Sequence, residues 1–140
     1  MDFSKRVIAT DLDGTLFYPK RIFSMFTRDN KRFLRRFIED GGRLVVVTSR
    51  GLPFMHKIPK MLGAPCDFIC CNGAIVSVDG KIEKRQPFDP KKFKSLVDDL
   101  RSRYNPSLFL LNTSQRGTVM TKSFTGLFAR FFYWFYEAVQ

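Results

Sequence analysis

Two acidic side chains one residue apart are the feature of this sequence best suited to chemistry. Asp11 and Asp13 follow the apolar segment 7–10. Side chains alternate between faces along an extended strand, so we expect the two carboxylates to converge while Leu12 points away. Proteins hold Mg²⁺ through one or two carboxylates and several waters, and a substrate phosphate supplies further oxygen ligands. The pair therefore predicts a site for Mg²⁺ and a phosphoryl group.

Two other structures begin with the same acidic pair. A calcium-binding helix-loop-helix requires Gly at its sixth position and Glu at its twelfth, where this sequence has Leu16 and Ile22. That kind of site is therefore excluded. An ordinary strand-to-turn junction also contains Asp and Gly, and it stays open as the purely structural alternative.

The segments after the acidic pair predict an alternating α/β order. A helix is expected over residues 28–40, with Thr27 as its N-cap and Gly41 just beyond its end. Its apolar positions fall on one face and are Phe33, Leu34, Phe37 and Ile38. A strand, a second helix and a third strand follow over residues 43–48, 53–62 and 67–71. The strand over 43–48 is uniformly apolar, which predicts a parallel strand covered on both faces.

This order of elements is half of a doubly wound parallel sheet. Such sheets bind their ligands beyond the carboxyl ends of the strands. Asp11, Thr48 and Asn72 all lie at or just past the end of a predicted strand. The sequence therefore predicts that these three residues meet at one edge of the sheet.

Three segments resemble the motifs of one enzyme superfamily. DLDGTL, residues 11–16, resembles the first motif of the haloacid dehalogenase superfamily of phosphohydrolases. RLVVVTSR, residues 43–50, stands where that superfamily has its second motif, an apolar strand ending in Thr. FICCNGAIV, residues 68–76, resembles a segment of its Cof-type branch.

The resemblance implies an α/β fold with two parts. Residues 1–76 would form an incomplete haloacid dehalogenase-like doubly wound sheet, and residues 77–140 the beginning of an α+β cap. In the second part we expect a hairpin that turns at Asp79 and Gly80, a helix over 90–104 and two antiparallel strands.

By the same resemblance, catalysis would pass through an aspartyl phosphate. Asp11 would be the nucleophile, and Asp13 would act as general acid and then as general base. Mg²⁺ would be held by the Asp11 carboxylate and the Asp13 backbone carbonyl. The cofactor expected for this chain is therefore Mg²⁺.

Further residues are expected around the phosphate. The resemblance implies that the Thr48 hydroxyl and the backbone amides of Leu12 and Ser49 hold phosphoryl oxygens, and that Asn72 lies at the rim. Ser49 departs from the Gly that is usual at this position in the branch, so it either crowds the phosphate or adds a hydroxyl.

The implied function is a Mg²⁺-dependent phosphohydrolase of small phosphorylated metabolites, of the sugar-phosphate type. The superfamily also uses a Lys and a later acidic motif, and neither occurs in its usual context by residue 140. A non-catalytic remnant or binding module is therefore the alternative. Without later strands, the strand over 7–10 would have an open edge, so we expect this chain to self-associate.

Composition limits the partners and the compartment. The net charge is +11, but the basic residues occur in short groups on predicted helix surfaces without a nucleic-acid-binding motif. We therefore expect no nucleic-acid partner, and the small-molecule substrate is what the resemblance implies. Three clustered cysteines, Cys66, Cys70 and Cys71, and the lack of a signal peptide predict a cytoplasmic protein. Zinc binding by these cysteines is an alternative. Because His56 is the only histidine in the sequence, a four-ligand zinc site would also need carboxylate ligands.

The segment 123–140 is an aromatic tail that predicts a helix apolar on nearly every side. It is shorter than the roughly 20 residues that span a bilayer, and it contains Arg130 and Glu137. We therefore expect no transmembrane helix. Burial against the cap sheet, or against protein outside this chain, is the favoured interpretation, and binding at a membrane surface is the alternative.

Overall fold

The computed structural model describes residues 2–17, 25–104, 106, 109–113 and 117–120. It divides into two compact units, Met1–Gln86 and Pro87–Gln140. The sequence placed the boundary between core and cap at 76/77, and that functional division stays a prediction.

The first unit is built on a five-stranded sheet in the order β1-β2-β3-β4-β5. Its strands are β1 (Val7–Asp11), β2 (Arg43–Val47), β3 (Asp67–Cys70), β4 (Ile75–Val78) and β5 (Lys81–Arg85). β2 runs parallel to both β1 and β3, whereas the β3–β4 and β4–β5 pairs are antiparallel. The helices between the parallel strands are α1 (Arg28–Glu39), α2 (Leu52–Met55) and α3 (Lys57–Leu62). The predicted α/β order is confirmed.

Helix α1 begins where its sequence predicts. The Thr27 hydroxyl accepts a hydrogen bond from the Asn30 amide at 3.1 Å and so caps the helix. Leu34 and Phe37 are buried, as the apolar face predicted. Phe33 was predicted on that face but is 58% exposed. It lies at the margin of the apolar stripe, where the ring of Phe37 stacks on it at 6.3 Å between centroids.

The core of the first unit lies on one face of the sheet. Leu44 and Val46 of β2 are buried in a single hydrophobic cluster with Leu34 of α1 and Leu62 of α3. Val47 is on the opposite face and is 38% exposed. The prediction that β2 is covered on both faces is therefore wrong, because the helices that the structure describes contribute to a cluster on one face only.

The predicted helix over 53–62 is interrupted at His56. Pro59 has no N–H, so it cannot donate to the carbonyl of Met55 one turn earlier, and the two short helices α2 and α3 replace one longer helix. Gly63 ends α3 in the left-handed conformation, at a φ of 76°. Ile58 and Leu62 of α3 are fully buried.

A cluster of charges joins the amino ends of β2 and β3 to the β4–β5 turn. The carboxylate of Asp67 accepts hydrogen bonds from the Arg43 side chain and, at 2.9 Å, from the Asp79 amide. A second Arg43 nitrogen donates to the Asp79 carboxylate at 2.6 Å. Asp79 and Gly80 both have positive φ, as a two-residue hairpin turn requires. The predicted hairpin is therefore confirmed, and its turn is fixed to the sheet.

The second unit contains helix α4 (Pro90–Tyr104) and an antiparallel pair of strands, β6 (Leu110–Thr113) and β7 (Gly117–Met120). The Asp89 carboxylate accepts a hydrogen bond from the Lys91 amide at 2.8 Å and caps α4. The predicted aromatic tail lies outside the described residues. Within the described part of the chain, no helix has the length and apolar character needed to cross a membrane.

The charge cluster should contribute measurably to stability. We expect Asp67→Asn to lower the free energy of unfolding by about 1–2 kcal/mol, because an amide cannot replace the charge-assisted bonds to Arg43, which solvent partly screens. Urea denaturation followed by circular dichroism measures this change. The control is Glu39→Gln, which removes an exposed carboxylate 3.9 Å from Arg35 and should cost less than about 0.5 kcal/mol. Equal losses in the two variants would contradict a stabilising role of the cluster.

Candidate active site

The acidic pair lies where β1 stops and the chain turns sharply. β1 ends at Asp11, and residues 12–16 form an irregular turn closed by a 2.8 Å hydrogen bond from the Phe17 amide to the Leu12 carbonyl. Gly14 has a φ of 81° in this turn, and a side chain there would meet no atom within 4 Å. Its positive φ, and not crowding, is therefore the reason for glycine at this position.

Leu12 separates the two acids and anchors them. Its side chain is fully buried in the core, whereas Asp11 and Asp13 are both exposed. Burial of one apolar residue between two exposed acids thus fixes the turn on the sheet and directs both carboxylates to solvent. This burial agrees with the prediction that Leu12 points away from the two carboxylates.

Asp13 forms a bidentate ion pair with Arg50. Nε and Nη2 of the guanidinium donate to the two carboxylate oxygens at 2.9 and 2.7 Å. Paired bonds of this kind fix the plane of the carboxylate as well as its position. The Arg50 side chain is only 14% exposed, whereas that of Asp13 is 49% exposed.

The surroundings of Arg50 hold it in this position. Its backbone amide donates to the Thr48 hydroxyl oxygen at 3.2 Å, and its carbonyl accepts from the Cys71 amide at 3.0 Å. The guanidinium also lies over the ring of Phe54, 4.2 Å from the centroid. Its Nη1 atom is buried and has no hydrogen-bond partner among the described residues. A buried donor without a partner costs free energy.

A strained turn follows β3 beside Arg50. Cys71, Asn72 and Gly73 have φ values of 53°, 54° and 89°. Two successive non-glycine residues in the left-handed region are uncommon, and such strain is concentrated at functional sites. The hydrogen bond from Cys71 to Arg50 attaches this turn to the loop after β2.

The structure brings together some of the predicted site residues. Thr48 is buried at the end of β2, and its amide donates to the Ile69 carbonyl at 2.9 Å. Asp11 is exposed at the end of β1, in register with Val47. Asn72 and Ser49 are exposed in the loops that follow β3 and β2. Their roles toward a phosphate stay predictions.

Sequence reasoning missed Arg50. It is the last residue of the RLVVVTSR segment and stands two residues after Thr48. A cation placed just beyond the carboxyl end of the strand next to β1 is a natural partner for an acidic pair at the same edge. This placement is the signal that could have identified it.

A metal site in this region would have few protein ligands. Among the described residues, no three His, Cys, Asp or Glu side chains are grouped so that they could hold a metal ion. Mg²⁺ needs only one or two protein carboxylates, because water and substrate complete its shell. The exposed Asp11 carboxylate fits that requirement.

Two of the three cysteines have thiols with a raised pKa. Burial raises the pKa of both the Cys66 and the Cys70 thiol to about 12. Among the described residues, these cysteines are not grouped with other His, Cys, Asp or Glu side chains in a set of three that could hold a metal ion. Nothing in the described residues supports the zinc alternative.

A family model of haloacid dehalogenase-like hydrolases matches residues 8–132 of this sequence. The chain belongs to this family. The resemblance drawn from the three motifs is therefore confirmed.

Two bacterial proteins named as phosphatases are similar in sequence to this haloacid dehalogenase-like chain. It is 32% identical over 98 residues to Phosphatase YwpJ of Bacillus subtilis, a match that covers 69% of this chain and 33% of that protein. It is 40% identical over 68 residues to the pyridoxal phosphate phosphatase YbhA of Escherichia coli, which covers 49% of this chain and 24% of that protein.

The fold is shared with a solved structure of the same family. A haloacid dehalogenase-like hydrolase from B. subtilis matches with a TM-score of 0.60 and 29% identity, over 76% of this chain and 37% of that one. The predicted haloacid dehalogenase-like fold class is confirmed. The chain spans about a third of the length of the relatives it matches.

The Asp13–Arg50 pair should show energetic coupling. We expect Asp13→Ala to lower the free energy of unfolding by about 1–2 kcal/mol, because it leaves a largely buried guanidinium without this carboxylate. The loss stays moderate because Asp13 is half exposed and solvent screens the ion pair. Arg50→Met keeps the contact with Phe54 and removes the unpaired Nη1, so it should cost less. Adding Asp13→Ala to Arg50→Met should then have little further effect.

Urea denaturation of the four proteins of this double-mutant cycle measures the coupling. The matched cycle uses the exposed Asp29–Arg32 pair of α1, whose atoms are 3.9 Å apart, and it should give almost no coupling. Additive losses in the Asp13–Arg50 cycle would show that the pair does not form in solution.

Proposed function

We propose that this chain carries the nucleophile and the phosphate-binding residues of a Mg²⁺-dependent phosphohydrolase of small phosphorylated metabolites, of the sugar-phosphate type. The observation that supports it best is a set of contacts at the carboxyl ends of β1 and β2. Arg50 pairs with the carboxylate of Asp13 through its guanidinium and with the hydroxyl of Thr48 through its backbone amide. Two relatives named as phosphatases agree with it. Since the chain spans about a third of their length, the activity and substrate of the whole protein are both part of the proposal.

The reaction would proceed in two steps. An Asp11 carboxylate oxygen attacks phosphorus, and the bond from phosphorus to the leaving oxygen breaks as Asp13 gives that oxygen a proton. Asp13 then takes a proton from the water that hydrolyses the aspartyl phosphate, which frees Asp11. Two exposed acids at one sheet edge are suited to these separate roles.

The groups around the phosphate follow the same proposal. The Thr48 hydroxyl and the amides of Leu12 and Ser49 hold the phosphoryl oxygens, with Asn72 at the rim. The Asp11 carboxylate and the Asp13 backbone carbonyl would hold Mg²⁺, which would supply positive charge between the anionic nucleophile and the anionic substrate.

Arg50 is a positioning residue in this mechanism. Its two bonds fix the Asp13 carboxylate beside the reaction centre. To act as general acid, Asp13 must carry a proton, and the oxygen that bears it then accepts its bond from Arg50 less strongly than a carboxylate oxygen does. The guanidinium charge also favours an anionic substrate at this edge.

The proposal includes a cytoplasmic location and a small-molecule partner. All three cysteines are free, Cys66 and Cys71 being partly exposed and Cys70 buried. Free cysteines are usual in a reducing compartment.

A chemical mimic can test Asp11 without depending on turnover. Beryllofluoride binds to a carboxylate in the geometry of a phosphoryl group, so the 140-residue chain should give a Mg²⁺-dependent bound signal in ¹⁹F NMR. We expect Asp11→Asn to abolish this signal, because an amide cannot take the place of the carboxylate oxygen. Asp13→Asn is the matched control and should retain it.

Turnover supplies the second measurement. In any preparation of this protein that hydrolyses p-nitrophenyl phosphate, removal of Mg²⁺ or the change Asp11→Asn should abolish activity, and Asp13→Asn should slow it by about 10²–10⁴. Wild-type turnover by Asp11→Asn would overturn the covalent mechanism. A chain with neither a bound signal nor turnover would favour the non-catalytic alternative.

A further inference from the structure

Two adjacent cysteines lie at the carboxyl end of β3. Cys70 is the last residue of the strand and is buried, and Cys71 is partly exposed in the turn that follows. Side chains of neighbouring residues on a strand point to opposite faces, which would keep two such thiols apart. Cys71 departs from that rule because it lies beyond the strand and has a φ of 53°.

The two thiols interact in the structure. Burial raises the pKa of the Cys70 thiol most, and the charge of Cys71 and a hydrogen bond between the two side chains raise it further. The turn therefore brings the two sulfur atoms within hydrogen-bonding reach of each other. The Cys70 thiol also donates to the sulfur of Met55 in α2, at 3.3 Å.

This pair of cysteines lies beside the candidate active site. The Cys71 amide donates to the Arg50 carbonyl at 3.0 Å, and the Arg50 side chain binds Asp13. The turn is at the carboxyl edge of the sheet, where sheets of this kind admit their ligands. The access of a small molecule to Cys71 therefore follows from the access that the candidate site itself requires.

We propose that Cys70 and Cys71 are a redox-active dithiol site, which reacts with a low-molecular-weight disulfide such as oxidised glutathione. The Cys71 thiolate attacks one sulfur of that disulfide, and one glutathione thiolate leaves and takes up a proton. Cys70 then loses its proton and attacks the Cys71 sulfur, and the second glutathione leaves in the same way. In total, the protein dithiol loses two electrons and two protons, and one oxidised glutathione becomes two thiols.

The disulfide between adjacent cysteines is strained. A protein disulfide usually spans about 4.4–6.8 Å between Cα atoms, whereas adjacent Cα atoms are about 3.8 Å apart. Strained disulfides are easily reduced and are commonly regulatory, and the transient disulfides of reducing compartments are of this kind. We therefore expect a reversible bond that forms only under oxidising conditions.

Oxidation changes the contacts that hold the loop after β2. A disulfide has no S–H, so the bond from Cys70 to Met55 is lost. Closing the ring also rotates the peptide group between the two cysteines, whose amide donates to the Arg50 carbonyl. The oxidised chain therefore holds the Arg50 loop less firmly and binds a phosphoryl group less tightly, a consequence that rests on the proposed function.

Intact mass spectrometry of the 140-residue chain tests the disulfide without any enzymatic activity. Cys66→Ala removes the third cysteine, and this chain should lose about 2 Da in excess oxidised glutathione. Excess reduced glutathione should restore its mass. Adding Cys70→Ala should stop the reaction at the mixed disulfide of Cys71, with a gain of about 305 Da.

Cys71→Asn in the Cys66→Ala chain is the matched control, because Asn adopts the left-handed conformation and carries no thiol. It should show neither mass change, since the remaining Cys70 is buried. Circular dichroism verifies that each variant folds. Oxidation should also weaken Mg²⁺-dependent beryllofluoride binding by the Cys66→Ala chain at least about fivefold, whereas the control chain should bind equally with and without the oxidant.

Three results would separate the parts of the proposal. A Cys66→Ala chain that keeps its mass, or only gains glutathione, at every ratio of oxidised to reduced glutathione would exclude the disulfide. A chain that forms the disulfide with unchanged beryllofluoride affinity would exclude its link to the candidate site. If the reduced chain binds no beryllofluoride, the proposed function fails, and the mass change alone still decides whether the dithiol site exists.

Discussion

Arg50 joins three strand ends of this protein, one through its guanidinium and two through its backbone amide and carbonyl. Arg50 binds the carboxylate of Asp13 after β1, the hydroxyl of Thr48 after β2 and the amide of Cys71 after β3. Phe54 supports the charged group from the core side. Without the guanidinium, the turn after β1 would lose its ion pair to the loop after β2, whereas the two backbone bonds would stay. The buried Nη1, which has no hydrogen-bond partner in the part of the chain that the structure describes, costs some stability.

The second constraint is that the sheet is covered on one face. Leu44 and Val46 are buried, while Val47 and the whole of β1 are exposed to different degrees. The chain spans about a third of the length of its relatives, and the exposed face and edge are surfaces where further protein can add.

Charge organises the opposite end of the sheet as well. Asp67, which is buried, is matched by Arg43 and by the amide of Asp79, so the amino ends of β2 and β3 are tied to the hairpin. Hydrogen bonds to both carboxylates raise the pKa of the Arg43 guanidinium, that to Asp67 most. The sheet thus has one ion cluster at each end, of which the one at the carboxyl end lies among the motif residues.

Sequence alone determined the order of strands and helices, the cap at Thr27 and the motifs around Asp11, Asp13 and Thr48. These features depend on neighbouring residues, because periodicity, capping and turns are local. Tertiary structure decided that Arg50 pairs with Asp13, 37 residues away in the chain, and that only one face of β2 is covered. Such contacts depend on how separate elements meet in space, and no local pattern records that.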